Sequence, residues 1–421
     1  MGNTIIVGAG LTGSILAIKL AKKYTNENIY LIDNSKNILS SFKPVNFNGK
    51  KVNNGFHALE IDRAKELFYF LKNEIKIKFE KYVTKRSLLI NEHYIKNLSY
   101  NQFPSELKKD LKKKKFNSKS INSLYKLING QFKKTIEIVS KRYFDKTSKS
   151  LRFFIPWFLP KEFNYISADE GDKFRVLSKK RRVNYLATPK ENNLFFNISR
   201  QIENKLKSYK NIIILKNSIL EIEKNSIFIV KNKTKKKILT NQIFITTMPT
   251  FFFKFFNKKE KNYIKKLTTN KKYFVLSIIK LNKRLSTYFS EILCATKDFI
   301  ELSRISQVNL NSSSKDLLLE LLFDKKNINN KSFKKKVSSS LKPIIKENKI
   351  LNINKKISRT VYMTNDSDIK NCLRIVNKKV NNFKKKGLNI SFNPHFAPIN
   401  MAKTWILSNK FYEKADKNLS R

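Results

Sequence analysis

Short apolar runs alternate with stretches of helical period along the first third of this chain. Thr4-Ile5-Ile6-Val7 and Ile29-Tyr30-Leu31-Ile32 are nearly continuous apolar runs, the pattern of strands buried on both faces. Between them, Ser14 to Lys23 carries Ile15, Leu16, Ile18 and Leu20 and predicts a helix. Ala64, Leu67, Phe68 and Leu71 repeat that spacing and predict a second helix over Asp62 to Lys72. From about residue 76 to 180 the pattern is less regular, and its lysine-rich amphipathic segments predict a mostly helical insertion.

Order returns later in the chain. Thr188 to Asn193 reads as a turn, and Leu194 to about Lys207 as a helix. Ile212 to Leu215, Ile219 to Ile222, Ser226 to Val230 and Gln242 to Thr247 read as short strands, the last stopped by Pro249. Tyr273 to Leu281 and Phe299 to Ile305 predict strands of a second sheet, and Leu317 to Phe323 another. Lys325 to Lys356 suggests an exposed helix with loops, and a last helix opens near Asn400-Met401.

The turn between the first strand and the first helix carries candidate chemistry. Gly8-Ala9-Gly10-Leu11-Thr12-Gly13 follows the strand at once, and the second strand closes on Asp33-Asn34. This is a dinucleotide fingerprint in its required strand, turn, helix and strand context. Gly8 allows a sharp turn, Gly10 lets a pyrophosphate approach the backbone, and Gly13 lets the helix pack close to the sheet. The helix N-terminus offers free N–H groups and partial positive charge. Asp33 stands where a carboxylate accepts hydrogen bonds from ribose hydroxyls. The bland alternative is a βαβ unit that uses its glycines for packing alone.

Composition bounds the rest. A chain of 421 residues has material for two or three domains' worth of core. No run reaches the length of a transmembrane helix, and the first strand starts too early for a signal peptide, so a cytoplasmic protein is expected. Cys294 and Cys372, the only cysteines, make neither a disulfide framework nor a Cys-rich zinc site. The formal charge of +56 is spread along the chain as lysine. Together with abundant Asn, Ile and Phe, that is what A/T-rich codons produce, so no nucleic-acid partner is expected. The field still favours anionic small molecules or lipid headgroups. His93 and His395 have no partners at metal-ligand spacing.

The fingerprint, Asn54-Gly55-Phe56-His57, the strand ending Thr246-Thr247-Met248-Pro249 and the Asn400-Met401 helix occur in that order. Together they resemble the flavin-dependent superfamily of amine oxidases, protoporphyrinogen oxidase, phytoene desaturases and UDP-galactopyranose mutase. The resemblance implies an α/β fold, α+β overall: a Rossmann-like FAD-binding domain interleaved with a mixed sheet-plus-helix substrate domain. The expected boundaries are 1–75, 186–250 and 371–421 for the FAD domain, and 76–185 and 251–370 for the substrate domain. FAD is the implied cofactor. Gly8 to Gly13, Asp33, Asn34, Gly55, Ile219, Asn400 and Met401 are its implied contacts. The Asn400 helix would point its N-terminus at the flavin edge that gains negative charge on reduction.

Two residues are candidates for catalysis. His57 falls on a Gly-x-His pattern that runs near the flavin ring; the alternative is a core histidine bonded to backbone. Arg304, in Ser303-Arg304-Ile305-Ser306-Gln307, resembles a mutase arginine over a substrate pyrophosphate; the alternative is an ion pair. The expected reaction is hydride transfer from an organic substrate to flavin. A nucleotide-sugar isomerase and a non-catalytic dinucleotide-binding protein are the alternatives. The chain departs from the family: Asn34 to Phe42 has neither glycine nor arginine, and Gly387-Leu388-Asn389 and Asn393-Pro394-His395 fill the region of a usual Gly-Arg. Phe153 to Pro160 and Phe251 to Phe256, both lysine-flanked, suit peripheral contact with an anionic membrane, or line the substrate cavity or domain interface. Substrate identity and oligomeric state carry no sequence signature.

Overall fold

The computed structural model describes residues 2–55, 58–61, 64–83, 85–112, 130–143, 158–160, 165–168, 174–177, 185–190, 194–223, 226–240, 242–247, 255–266, 270–308, 314–362, 366–392 and 401–420. Two sheets organise them. The first has five parallel strands in the order Ile212–Leu215, Asn28–Ile32, Asn3–Val7, Gln242–Ile245 and Ile390–Phe392. The strand that opens the chain is therefore central. Its side chains alternate between two cores, as the period of a strand requires. Ile6 packs with Leu16, Leu20, Ile198, Ile202, Phe244 and Phe411 beneath helices Leu11–Lys23, Phe196–Lys207 and Met401–Leu419. Ile5 and Val7 face the other way, toward Leu220, Ile229, Ile264, Val376 and Val380. Burial on both faces explains why these strands lack an alternating polar pattern.

The second sheet has seven strands in the order Ile350–Tyr362, Lys271–Leu281, Asp316–Phe323, Leu302–Gln307, Glu291–Ala295, Arg86–Ile90 and His93–Ile95. All neighbours are antiparallel except the Arg86–Ile90 and Glu291–Ala295 pair. One face packs Leu88, Phe274, Leu276, Leu293 and Leu318 against Phe132, Ile136 and Leu107 of helices Gly130–Tyr143 and Ser105–Lys112. The other packs Val275, Ile279, Ile292 and Leu319 against Phe333, Val337 and Leu341 of helix Asn330–Ile345. Arg142, fully buried, ties the first of these layers to the sheet. Its Nε donates to the Ile300 carbonyl at 2.6 Å, and its Nη2 to the Cys294 carbonyl at 2.7 Å.

Several expectations change. Among the described residues, the 76–180 stretch is not mostly helical: it supplies Phe79–Val83, Arg86–Ile90, His93–Ile95 and the Tyr165–Ala168/Phe174–Leu177 hairpin as well as helices. Exposed lysines such as Lys78, Lys81 and Lys85 obscure the strand period there. Thr188 lies in strand Tyr185–Pro189, paired with Glu80, rather than in a turn. The strand expected from Phe299 starts at Leu302, and Lys325 to Lys356 holds most of a 13-residue edge strand beyond its helix. That strand reads as loop because only one of its edges is paired, and lysines hide its period. Helix Asp366–Lys385 was not expected at all. Among the described residues no helix is long and apolar enough to cross a membrane. Of the two aromatic stretches, Phe158, Leu159 and Phe256 are buried in the cores; residues 151–157 and 251–254 lie outside the described residues.

Candidate functional site

The three fingerprint glycines serve different ends. Gly8 has φ +105°, and a Cβ there would stand 2.5 Å from Thr246 Oγ1 and 2.6 Å from Thr247 Cγ2. A Cβ on Gly13 would stand 2.0 Å from the Gly8 carbonyl oxygen, so helix and turn meet backbone to backbone. Gly10 is unlike both. Its φ of −72° suits any residue, and a Cβ there meets nothing within 4 Å. Neither strain nor internal packing asks for glycine at this position. It is the N-cap of helix Leu11–Lys23, which has no side-chain cap and no acid in its first turn. The helix thus presents a bare backbone and the positive end of its dipole to an open space, which fits a phosphate group.

Asp33 closes the same turn. Its Oδ2 accepts from the Ala9 amide at 2.7 Å, and its Oδ1 from the Ser35 amide at 2.8 Å and from the Ser35 hydroxyl. The Asp33 carbonyl accepts from Ser218 N at 2.9 Å, which sets strand Ser218–Glu223 beside it. Ile219 leads from that point and is 47% exposed, unusual for isoleucine. Asn34 is exposed, while Leu11 is half-buried and Thr12 buried. Thr12 also receives the last helix: Ser408 Oγ donates to its carbonyl at 3.0 Å. The helix begins at Met401, as expected; Asn400 and the Met401 side chain lie outside the described residues, as does His57.

Gly55, at φ +85°, lies against the face of the seven-stranded sheet. Its carbonyl is 3.4 Å from Arg304 Nη2, and a Cβ would stand 2.7 Å from Arg359 Nη2. Adjacent strands carry a ladder of alternating charge there. Arg86 pairs with Glu60 and Glu291. Arg304 bonds to Glu291 at 3.3 Å and to both oxygens of Glu320, at 2.8 and 3.0 Å from Nη2. Burial opposes the Arg304 charge, but Glu320 and Glu291 outweigh it and hold the guanidinium more firmly protonated than usual. Burial likewise pushes the Glu291 carboxyl up, and Arg86 with Arg304 brings it below the usual carboxylate range. Arg359 stands apart, its guanidinium 5.1 Å from the centre of the Phe274 ring.

Of the two expected catalytic residues, Arg304 is therefore placed at Gly55, within an ion network of two carboxylates. Glu291, Glu320, Arg86 and Arg359 were missed. A signal existed: Glu320 interrupts Leu317-Leu318-Leu319 and Leu321-Leu322, and an acid in a buried apolar strand needs a cationic partner. A groove of about 530 Å³ with Lys326, Lys355 and Ile357 in its wall opens on the opposite face of this sheet, away from Gly55.

Solved structures carry the same fold. A protein of Exiguobacterium sp. 255-15 assigned as a protoporphyrinogen oxidase aligns with TM-score 0.62 and 10% identity over 100% of this chain and 99% of its own. The chain shares its fold with such structures. A reduced UDP-galactopyranose mutase gives TM-score 0.62 at 11% identity, covering 92% of this chain and 88% of that one. A fatty acid isomerase of P. acnes that produces CLA gives TM-score 0.55 at 10% identity, over 99% and 98%. No protein-family model matches the chain, and no curated protein matches it. The likeness thus lies in the path of the backbone, with mixed sheets and helices as expected.

Proposed function

We propose that this chain is an FAD-dependent oxidoreductase. Its dinucleotide half would comprise residues 1–75, 186–250 and 371–421, interleaved with a substrate half of 76–185 and 251–370. Gly10 carries the proposal: a glycine that neither strain nor packing demands, at an uncapped helix N-terminus facing open space. A pyrophosphate supplies the missing reason for it. Gly8 and Gly13 hold the turn, and Asp33 fixes the Ala9 amide while its Oδ2 keeps a lone pair for a ribose hydroxyl. The exposed Ile219 gives the adenine end an apolar surface. Gly55 and Arg304 stand where the flavin ring and a small-molecule substrate would meet.

FAD, when bound, supplies the hydride acceptor. The chain's part is to orient the reacting groups and to set the electrostatics around them. The Arg304 fork is engaged by two glutamates, which speaks against the pyrophosphate role of a nucleotide-sugar isomerase. The absorption spectrum of the purified protein tests the proposal. A flavin band, or its appearance on adding FAD, is expected. A protein that neither carries nor takes up flavin overturns both enzyme readings and leaves a non-catalytic nucleotide-binding protein.

A further inference from the structure

Three arginines stand on the face of the large sheet near Gly55, and two of them are committed. Arg86 is matched by Glu60 and Glu291, and Arg304 by Glu291 and Glu320. Arg359 differs. It sits opposite Phe274 on the edge strand, across a bulge that turns it to the Gly55 face. Its Nε is buried with no hydrogen-bond partner, although Glu320 lies near enough to favour its charge. A buried guanidinium N–H without an acceptor is costly, and native structures seldom leave one unmade.

Two more unpartnered groups border the same ladder. Ser306 Oγ is buried without a partner, on the residue directly across from Glu291. The Tyr82 hydroxyl is also buried without a partner, close enough to feel both Glu291 and Arg304. Burial pushes this phenol up, so it is a neutral donor at any ordinary pH. All three groups can donate, and Arg359 can only donate. Gly55 has no side chain to separate the loop from the Arg359 fork. The complement of the Arg359 fork is a group rich in acceptors and negative in charge.

We infer that Arg359 recognises an oxyanion, a carboxylate or phosphate, on the small molecule this site binds. The inference names a substrate class for the flavin site proposed above and rests on that reading. Arg304 and its glutamates act as the rigid, charge-balanced backing of this subsite. The Phe274 ring, 5.1 Å from the Arg359 guanidinium, limits its freedom on this face.

The test is calorimetric titration of the purified protein with hexanoate and, separately, with inorganic phosphate at fixed ionic strength. Flavin content is read from absorbance in the same samples. One of the two anions is expected to bind, and which one assigns the group as carboxylate or phosphate. Arg359→Met should weaken that binding by about tenfold or more, and Arg359→Lys less, since charge survives without the fork. Lys355→Met, on the other face of the same strand, should leave it unchanged. Thermal melts establish that each variant is folded. The inference fails if neither anion binds, if Arg359→Met and Arg359→Lys both bind as the parent does, or if Lys355→Met loses as much. Flavin that binds while anion binding ignores Arg359 leaves the flavin reading standing. Arg359-dependent anion binding in a protein that takes up no flavin has the opposite meaning.

Discussion

Asp33 Oδ2 accepts a hydrogen bond from the Ala9 amide across 2.7 Å, joining the end of the second strand to the middle of the glycine turn. The acid that closes the fingerprint is thus a structural part of the turn as well as a candidate ribose contact. Its other oxygen holds Ser35, so the two loops at the strand ends are fixed to each other.

Replacing Asp33 with Ala should therefore act on the apo protein. A part-buried, charge-assisted bond of this kind contributes about 1–3 kcal/mol, and the Ala9 amide would be left without its partner. Urea denaturation of flavin-free protein should show the loss. Asp33→Asn keeps one acceptor and should lose less. An Asp33→Ala protein as stable as the parent, with only its flavin affinity reduced, would assign the carboxylate to the ligand alone.

The parts that were legible in the sequence are those whose signal is local. Strands Asn3–Val7 and Asn28–Ile32 are buried on both faces, so every position in them is informative. Gly8 and Gly13 stand out because backbone geometry forbids anything else there. The ladder was not legible, because its members come from five segments spread between Glu60 and Glu320 and meet only through strand order. Arg359 was hidden among lysines on an edge strand whose period is broken by a bulge. His57 and Asn400, legible as candidates, lie outside the described residues.

Gly13 and Gly10 should separate folding from binding. Gly13→Ala drives a methyl to 2.0 Å from a backbone oxygen that cannot move without breaking the turn. Overpacking of this kind costs about 1–3 kcal/mol or more, so the melting temperature should fall by several degrees. Gly10→Ala meets nothing and adopts an ordinary φ. Its apo stability should change by no more than about 1 kcal/mol, the usual range at an N-cap, while FAD affinity falls about tenfold or more. Equal stability losses in the two variants would show that Gly10 also serves packing, and the argument for a ligand at this turn would lose its main support.

Glu291 should make the fold acid-sensitive. Burial raises its carboxyl, yet Arg86 and Arg304 bring it below the ordinary glutamate value of 4.5. A carboxyl held low in the folded state stabilises the fold above its unfolded value. That contribution is therefore complete at neutral pH and is lost as the pH falls below about 4.5, toward the folded value. Glu291→Gln should remove part of this acid slope and also lower stability at pH 7, because Arg86 and Arg304 lose their shared carboxylate. Breaking a buried pair in this way costs about 3–5 kcal/mol, toward the lower end here because Glu60 and Glu320 still hold one arginine each. Denaturation midpoints of both proteins from pH 3 to 8 (an interval of about 5 units spanning the usual carboxylate range) measure both effects. An unchanged acid slope in the variant would mean that the glutamate does not titrate with folding.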